Sequence, residues 1–205
     1  MKRIFTVLCS LLVLNCLGQQ KKNDFKLVNR NLMITRQNGS YIIHLDRANN
    51  DGIAWVKGQK FVNGIIEFDV KGKNVIQESF VGVAFHGVND TTFESIYFRP
   101  FNFKADDPGR RAHSVQYMSL PKYDWSQLRQ QFPGKYEQPL HTPPDPDAWF
   151  HAKIVVKGKM ISVYVNGETS ASLQVIQILP IKGTMIGFWV GNGSDGDFKD
   201  LKILP

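Results

Sequence analysis

The chain has 205 residues, with 25 Lys and Arg against 18 Asp and Glu and a formal charge of +7. No run of basic residues and no nucleic-acid motif accompanies that excess, which excludes a nucleic-acid binder and suits an acidic glycan or an anionic cell surface. The two cysteines, Cys9 and Cys16, both lie near the start, so the body of the chain must be held by its core and not by disulfides.

In chain order, residues 1–18 have the pattern of an export signal. Lys2 and Arg3 lead, Ile4 to Leu14 form an apolar stretch too short to span a bilayer, and Cys16-Leu17-Gly18 ends it. Cleavage before Gln19 predicts a secreted or periplasmic protein. The alternative is lipidation at Cys16, which predicts an outer-membrane lipoprotein, although Asn15 suits that processing poorly. No other segment predicts a transmembrane span. Without Lys2 and Arg3 the balance is 23 basic against 18 acidic residues, +5. Residues 19–30 (QQKKNDFKLVNR) read as a flexible leader, and 31–205 as one domain, since no linker-like stretch divides them.

Strands are predicted at about 31–36, 41–47, 53–57, 61–71, 80–86, 92–99 and 113–119, with turn signals at Asn38-Gly39, Asp51-Gly52, Lys71-Gly72-Lys73 and Asn89-Asp90. Val81, Val83 and Phe85 make a buried row. Phe80, Gly82, Ala84 and His86 make the opposite row, expected to line a groove. Residues 100–148 change in kind, rich in Pro, Arg, Gln and aromatics; Asp124 is placed to cap a short helix over WSQLRQQF that stops before Pro133. The density of aromatics predicts an ordered loop lid over one end of the groove. From Trp149 onward the apolar residues alternate: Phe150, Ala152, Ile154 and Val156 share a face, as do Ile161, Val163 and Val165. Asn166-Gly167 is a strong hairpin signal, and 186–190 and 198–203 are the closing strands.

Many short strands with Gly/Asn turns predict an all-β sandwich of two antiparallel sheets with a long central loop. Four stretches carry a family resemblance: FVNGIIEFDVKG at 61–72, Trp149-Phe150-His151, the VYVNG segment and GFWVGNGSDGDFKDLKI. Together they resemble the concanavalin A-like lectin/glucanase jelly rolls, in particular laminin-G-like and 3-keto-disaccharide hydrolase-type domains of secreted bacterial proteins. The resemblance spans about Phe61 to Ile203. It implies the fold, and a function among lectins, hydrolases, lyases and adhesion modules.

Candidate chemistry gathers around FESIYFRPFNF and HSVQYMS. Tyr97 and Arg99 share a face, as do His113 and Tyr117, with Asn102 and Gln116 nearby. Rings that pack on sugar C–H faces, with amide, guanidinium and imidazole groups for hydroxyls, suit a saccharide. Arg99, Arg110 and Arg111 would extend this to an acidic sugar; the alternative is that Arg99 and Gln116 brace the loop against the sheet. Trp125 is the expected exposed platform, while Trp149 and Trp189 are expected in the core. For catalysis, Glu67 with Asp69, isolated Glu94, and His86 with His113 and Tyr117 are the candidates. The resemblance leads one to look for a Glu-x-Asp-x-x-Glu glucanase triplet, but Lys71, Gly72 and Lys73 follow Asp69, so its third acid is missing. The histidines at 44, 86, 113, 141 and 151 have no zinc spacing. Gly191 to Gly196 spells GxGxxG without a following helix and is read as a hairpin loop. Asn192, Asp195 and Asp197 there are the candidates for a structural calcium; no other cofactor is expected. The expected function is an exported carbohydrate-binding protein acting on a glycan, with a carbohydrate-active enzyme and an adhesion module as alternatives.

Overall fold

The computed structural model describes residues 21–180 and 183–205. The export signal, cleavage before Gln19 and lipidation at Cys16 fall outside those residues. Among the described residues no helix is long and apolar enough to cross a membrane.

Among the described residues, fourteen strands form two antiparallel seven-stranded sheets. In chain order they are β1 (Phe25–Val28), β2 (Leu32–Gln37), β3 (Ser40–Leu45), β4 (Gly52–Val56), β5 (Gly64–Lys71), β6 (Val81–Asn89) and β7 (Thr92–Phe98). They continue as β8 (Val115–Ser119), β9 (Glu137–Gln138), β10 (Phe150–Lys157), β11 (Met160–Val165), β12 (Leu173–Ile176), β13 (Met185–Val190) and β14 (Gly196–Leu204). The first sheet runs β1-β4-β13-β6-β7-β8-β9 and the second β12-β11-β10-β5-β14-β3-β2. The short helices α1 (Pro100–Phe103), α2 (Pro108–Arg111) and α3 (Trp125–Gln131) lie in the central segment. Asp124 caps α3 through the Gln127 amide at 2.8 Å, as expected.

The second sheet behaves as its period-two pattern demands. β5 and β10 alternate buried and half-buried residues along their length, and Ile66, Phe68, Val70, Ala152, Ile154 and Val156 face the core. Phe188 of the first sheet stacks on Phe198 of the second at 4.6 Å, and Phe98 meets Phe150 edge-on at 5.0 Å. These contacts fix the two layers against each other. The first sheet differs, because β6, β7 and β8 are buried on both faces.

Three features depart from the sequence reading. The leader is partly structured: a 3-10 turn at Lys22–Asp24 leads into β1, which pairs with β4 and buries Phe25. Asn166 and Gly167 both take positive φ (50° and 76°), yet they open a longer loop before β12 instead of a two-residue turn. The tight turn of that kind is Asn38-Gly39, between paired Gln37 and Ser40. Trp149, expected in the core, is half-buried at the surface with Lys199 Nζ 4.7 Å over its ring.

Candidate functional site

The outer face of the first sheet carries two adjacent rows that run across the strands. In one, Trp55, Gly187, Ala84, Ser95 and Met118 are successive register partners. In the other, Ile53, Trp189, Gly82, Tyr97, Gln116 and Glu137 follow one another. The first row has a floor of Gly, Ala and Ser between two large side chains. The second begins aromatic and turns polar. Ile53, Trp55, Ala84, Phe93, Tyr97, Met118 and Trp189 form an apolar cluster of their own, separate from the inter-sheet core. Tyr97 and Trp189 lie 4.9 Å apart.

Among the described residues, three buried polar atoms on this face find no hydrogen-bond partner: Ser95 Oγ, Gln116 Nε2 and Trp189 Nε1. Buried donors and acceptors are ordinarily paired, because a stranded one costs about 1–3 kcal/mol. Their convergence on one face of one sheet is the strongest site signal in the molecule. Sequence reasoning found Gln116 but missed Ser95 and Trp189. The parity of Ser95 with Tyr97 along β7 was the available signal.

Arg99 is 5% exposed and its donors are used internally. It donates to Tyr97 OH at 2.6 Å, Gln116 Oε1 at 2.7 Å and the His113 carbonyl at 3.0 Å. Asn102 also donates to the His113 carbonyl at 3.3 Å. Arg110 reaches the Phe101 carbonyl, and Arg111 those of Ala105 and Asp106. These contacts are those of a brace, tying residues 99–114 to the sheet. Beyond Gln116, buried Glu137 receives both arms of Arg129 at 2.7 and 2.6 Å, and His113 Nδ1 lies 2.8 Å away without hydrogen-bond alignment. The bond to Glu137 raises the Arg129 pKa. Lost hydration holds the His113 imidazole below its usual value, with Glu137 opposing. Trp125, 47% exposed, sits under the Arg129 guanidinium at 5.0 Å. Glu137 escaped the sequence reading because β9 is too short to show a period, and its partner Arg129 on α3 went unremarked with it.

His86, Glu94 and Tyr117 do come together, but between the sheets. Glu94 accepts from His86 Nδ1, from the Tyr117 hydroxyl and from Gln177 Nε2, the last at 2.8 Å. His86 Nε2 donates to the Val62 carbonyl at 2.8 Å and the ring stacks on Phe61. All three are buried. His86 was expected on the groove row. A bulge after Phe85, with His86 at φ 51°, turns it to the inner side instead. Tyr117 likewise shares the inner face with its register partner Ile96, opposite to Gln116.

Glu67 and Asp69 lie on the outer face of the second sheet, away from both clusters. Lys153 is 3.9 Å from Glu67; His151 and Lys199 are 2.8 and 3.7 Å from Asp69. They form a solvated ion-pair row. The calcium candidates are each engaged: Asp195 with Lys73, Asp197 with His44 at 2.7 Å, and Asn192 Oδ1 with the Asn50 amide at 2.6 Å. Among the described residues no group of three or more His, Cys, Asp or Glu could hold a metal ion.

Burial pushes the Tyr97 hydroxyl up to about 12, and burial with the adjacent Glu94 carboxylate raises Tyr117 further. Both folded values exceed the unfolded one, near 10, so their contribution is intact below pH about 10 and is lost as pH rises toward 12. Ultraviolet titration of tyrosinate should show these two groups ionising only together with unfolding, whose midpoint shifts down above pH about 10. Smooth ionisation of every tyrosine near 10 in the folded protein would contradict their burial.

No protein-family model and no curated protein matches the sequence. Solved structures do resemble the fold. The carbohydrate-binding module CBM66 from Bacillus subtilis is 12% identical, with 87% of this chain and 93% of that one aligned at a TM-score of 0.62. The exoplasmic/lumenal domain of VIP36, in a Ca2+/Man3GlcNAc-bound form, is 13% identical over 91% of this chain and 86% of its own, TM-score 0.56. A native glycosidic hydrolase is 13% identical over 91% and 94%, TM-score 0.52. The chain is thus a β-sandwich of two antiparallel sheets that shares its fold with these structures; identities this low speak for fold alone.

Proposed function

We propose that the protein binds carbohydrate on the outer face of the first sheet, without cleaving it, and acts outside the cytoplasm as the pattern of residues 1–18 suggests. The observation that carries this reading is the set of unpartnered polar atoms, Ser95 Oγ, Gln116 Nε2 and Trp189 Nε1, set among Trp55, Tyr97 and Trp189. A sugar offers what such a surface lacks: hydroxyls for stranded donors and acceptors, and C–H faces for rings. A carbohydrate-binding module and a glycan-bound domain among the structures of similar fold agree with this reading. Of the candidate acids and bases, Glu94 and His86 are sealed between the sheets and Glu67 is ion-paired on the far face, while Glu137 at the end of this row is held by Arg129.

Ser95→Ala separates this reading from a purely structural one. Ser95 Oγ has no partner, so its removal should leave thermal stability unchanged or slightly higher. Binding to the preferred glycan, found by array and measured by calorimetry, should weaken about five- to tenfold, the worth of one hydrogen bond of about 1–1.5 kcal/mol. Unchanged binding in Ser95→Ala and in Gln116→Leu, or release of reducing ends from the bound glycan, would refute binding without cleavage at this face.

A further inference from the structure

The polar row does not stop at Gln116. It continues through Glu137 at the sheet edge to Arg129 and His113, and ends at exposed Trp125 on α3. We infer that this end is an anion-reading subsite, and that the saccharide it takes is acidic, carrying carboxylates or sulfate esters that meet Arg129 and His113 while a neighbouring ring packs on Trp125. The inference rests on the glycan-binding reading above and adds the substrate class and the direction of the chain, across the strands from Trp189 toward Trp125.

Charge and geometry carry it. Glu137, 3% exposed, is the carboxylate shared by this cluster, and it faces Arg129, Arg99 and His113. One negative charge against two guanidinium groups leaves a net positive charge at the groove end before His113 is counted. Arg99 is consumed by the brace, but Arg129 uses only Nε and Nη2 on Glu137 and its side chain is 35% exposed, leaving further N–H groups for a ligand. Glu137 also holds the guanidinium plane fixed, so an incoming anion meets a preset fork. The His113 side chain is 32% exposed beside it. Trp125 is the exposed aromatic residue in contact with this arginine, which places a stacking surface next to the charge reader.

The sources of negative charge are separable with four probes: oligogalacturonate and its methyl ester, dextran sulfate and dextran. The wild-type protein should bind at least one acidic probe tenfold or more tightly than its neutral counterpart. Carboxylate selectivity identifies a uronate, and sulfate selectivity a sulfated chain. Arg129→Gln should abolish that preference. Because loss of Arg129 strands Glu137, Arg129→Lys and Trp125→Ala serve as folded partners. The lysine variant keeps the charge but loses the fork and should drop acidic binding severalfold, and the alanine variant should weaken binding of the longer probes. Lys202→Gln, on the outer face of the second sheet, should change nothing, which separates a site from general attraction to a basic protein. Binding of the sulfated probe should also tighten as pH falls and His113 protonates, an effect that His113→Gln removes. Equal binding of acidic and neutral probes, or an acidic preference that survives both Arg129 variants, would overturn the inference. If neutral glycan binding remains sensitive to Ser95→Ala in that case, carbohydrate recognition stands and only its acidic character falls.

Discussion

Glu94→Ala should lower the free energy of unfolding by about 3–5 kcal/mol, read as a lower urea midpoint at unchanged slope. The carboxylate is wholly buried and accepts from His86, Tyr117 and Gln177 at once. Its removal leaves three donors facing hydrocarbon, each with a desolvation cost of its own. The cluster also spans the sandwich. His86, Glu94 and Tyr117 belong to the first sheet, whereas Gln177 follows β12 at the edge of the second. Local opening should therefore appear as faster amide exchange in β12 and residues 177–178, where the Ile178 amide donates to Tyr117 at 3.4 Å. A catalytic Glu94 predicts the opposite pattern, with stability retained and turnover lost. A stable Glu94→Ala protein would refute the structural role assigned to this cluster.

Arg99→Ala should be of similar severity, about 3–5 kcal/mol, for a different reason. Arg99 bonds Tyr97, Gln116 and the His113 carbonyl and stands 3.8 Å from Glu137. Its guanidinium also lies 4.8 Å from the Tyr97 ring centre and 5.7 Å from that of Phe80. Without it the 99–114 segment loses its main tie to the sheet and Glu137 keeps Arg129 as its remaining guanidinium partner. Amide exchange should rise across 99–114 while β10 and β11, in the other sheet, stay protected. A sugar-reading Arg99 would give the reverse, an intact loop with lost binding.

Much of this architecture was legible because the second sheet has one buried face. Ile154, Val156, Ile161 and Val163 announce it by simple alternation, and Asn38-Gly39 announces its turn. The first sheet was harder. When both faces are buried, parity no longer says which side faces the other sheet, so Trp189 is buried as expected but its place in the outer cluster could not be read. His86 went to the wrong face because a bulge adds a residue that a two-residue period cannot register. Glu94 and Tyr117 were legible in part, since each keeps the parity of a core neighbour, Ile96 and Val115. Their meeting needed the β7–β8 register, which no local pattern supplies. Glu137 was invisible for want of any pattern in a strand of two residues, and without it nothing marked Arg129 on the foreseen helix α3. Phe25–Val28 is short enough for its three apolar residues, Phe25, Leu27 and Val28, to pass for part of a leader.

The strand order carries a consequence for how the molecule is made. β13 lies between β4 and β6 in one sheet, and β14 between β5 and β3 in the other, although both follow every other strand in the chain. Until they emerge from the ribosome, each sheet is split down its middle and four strand borders stand open. Such late, long-range pairing slows closure and leaves sticky edges on the growing polypeptide. The growing polypeptide therefore stays prone to association until these last two strands arrive, one to zip each layer shut.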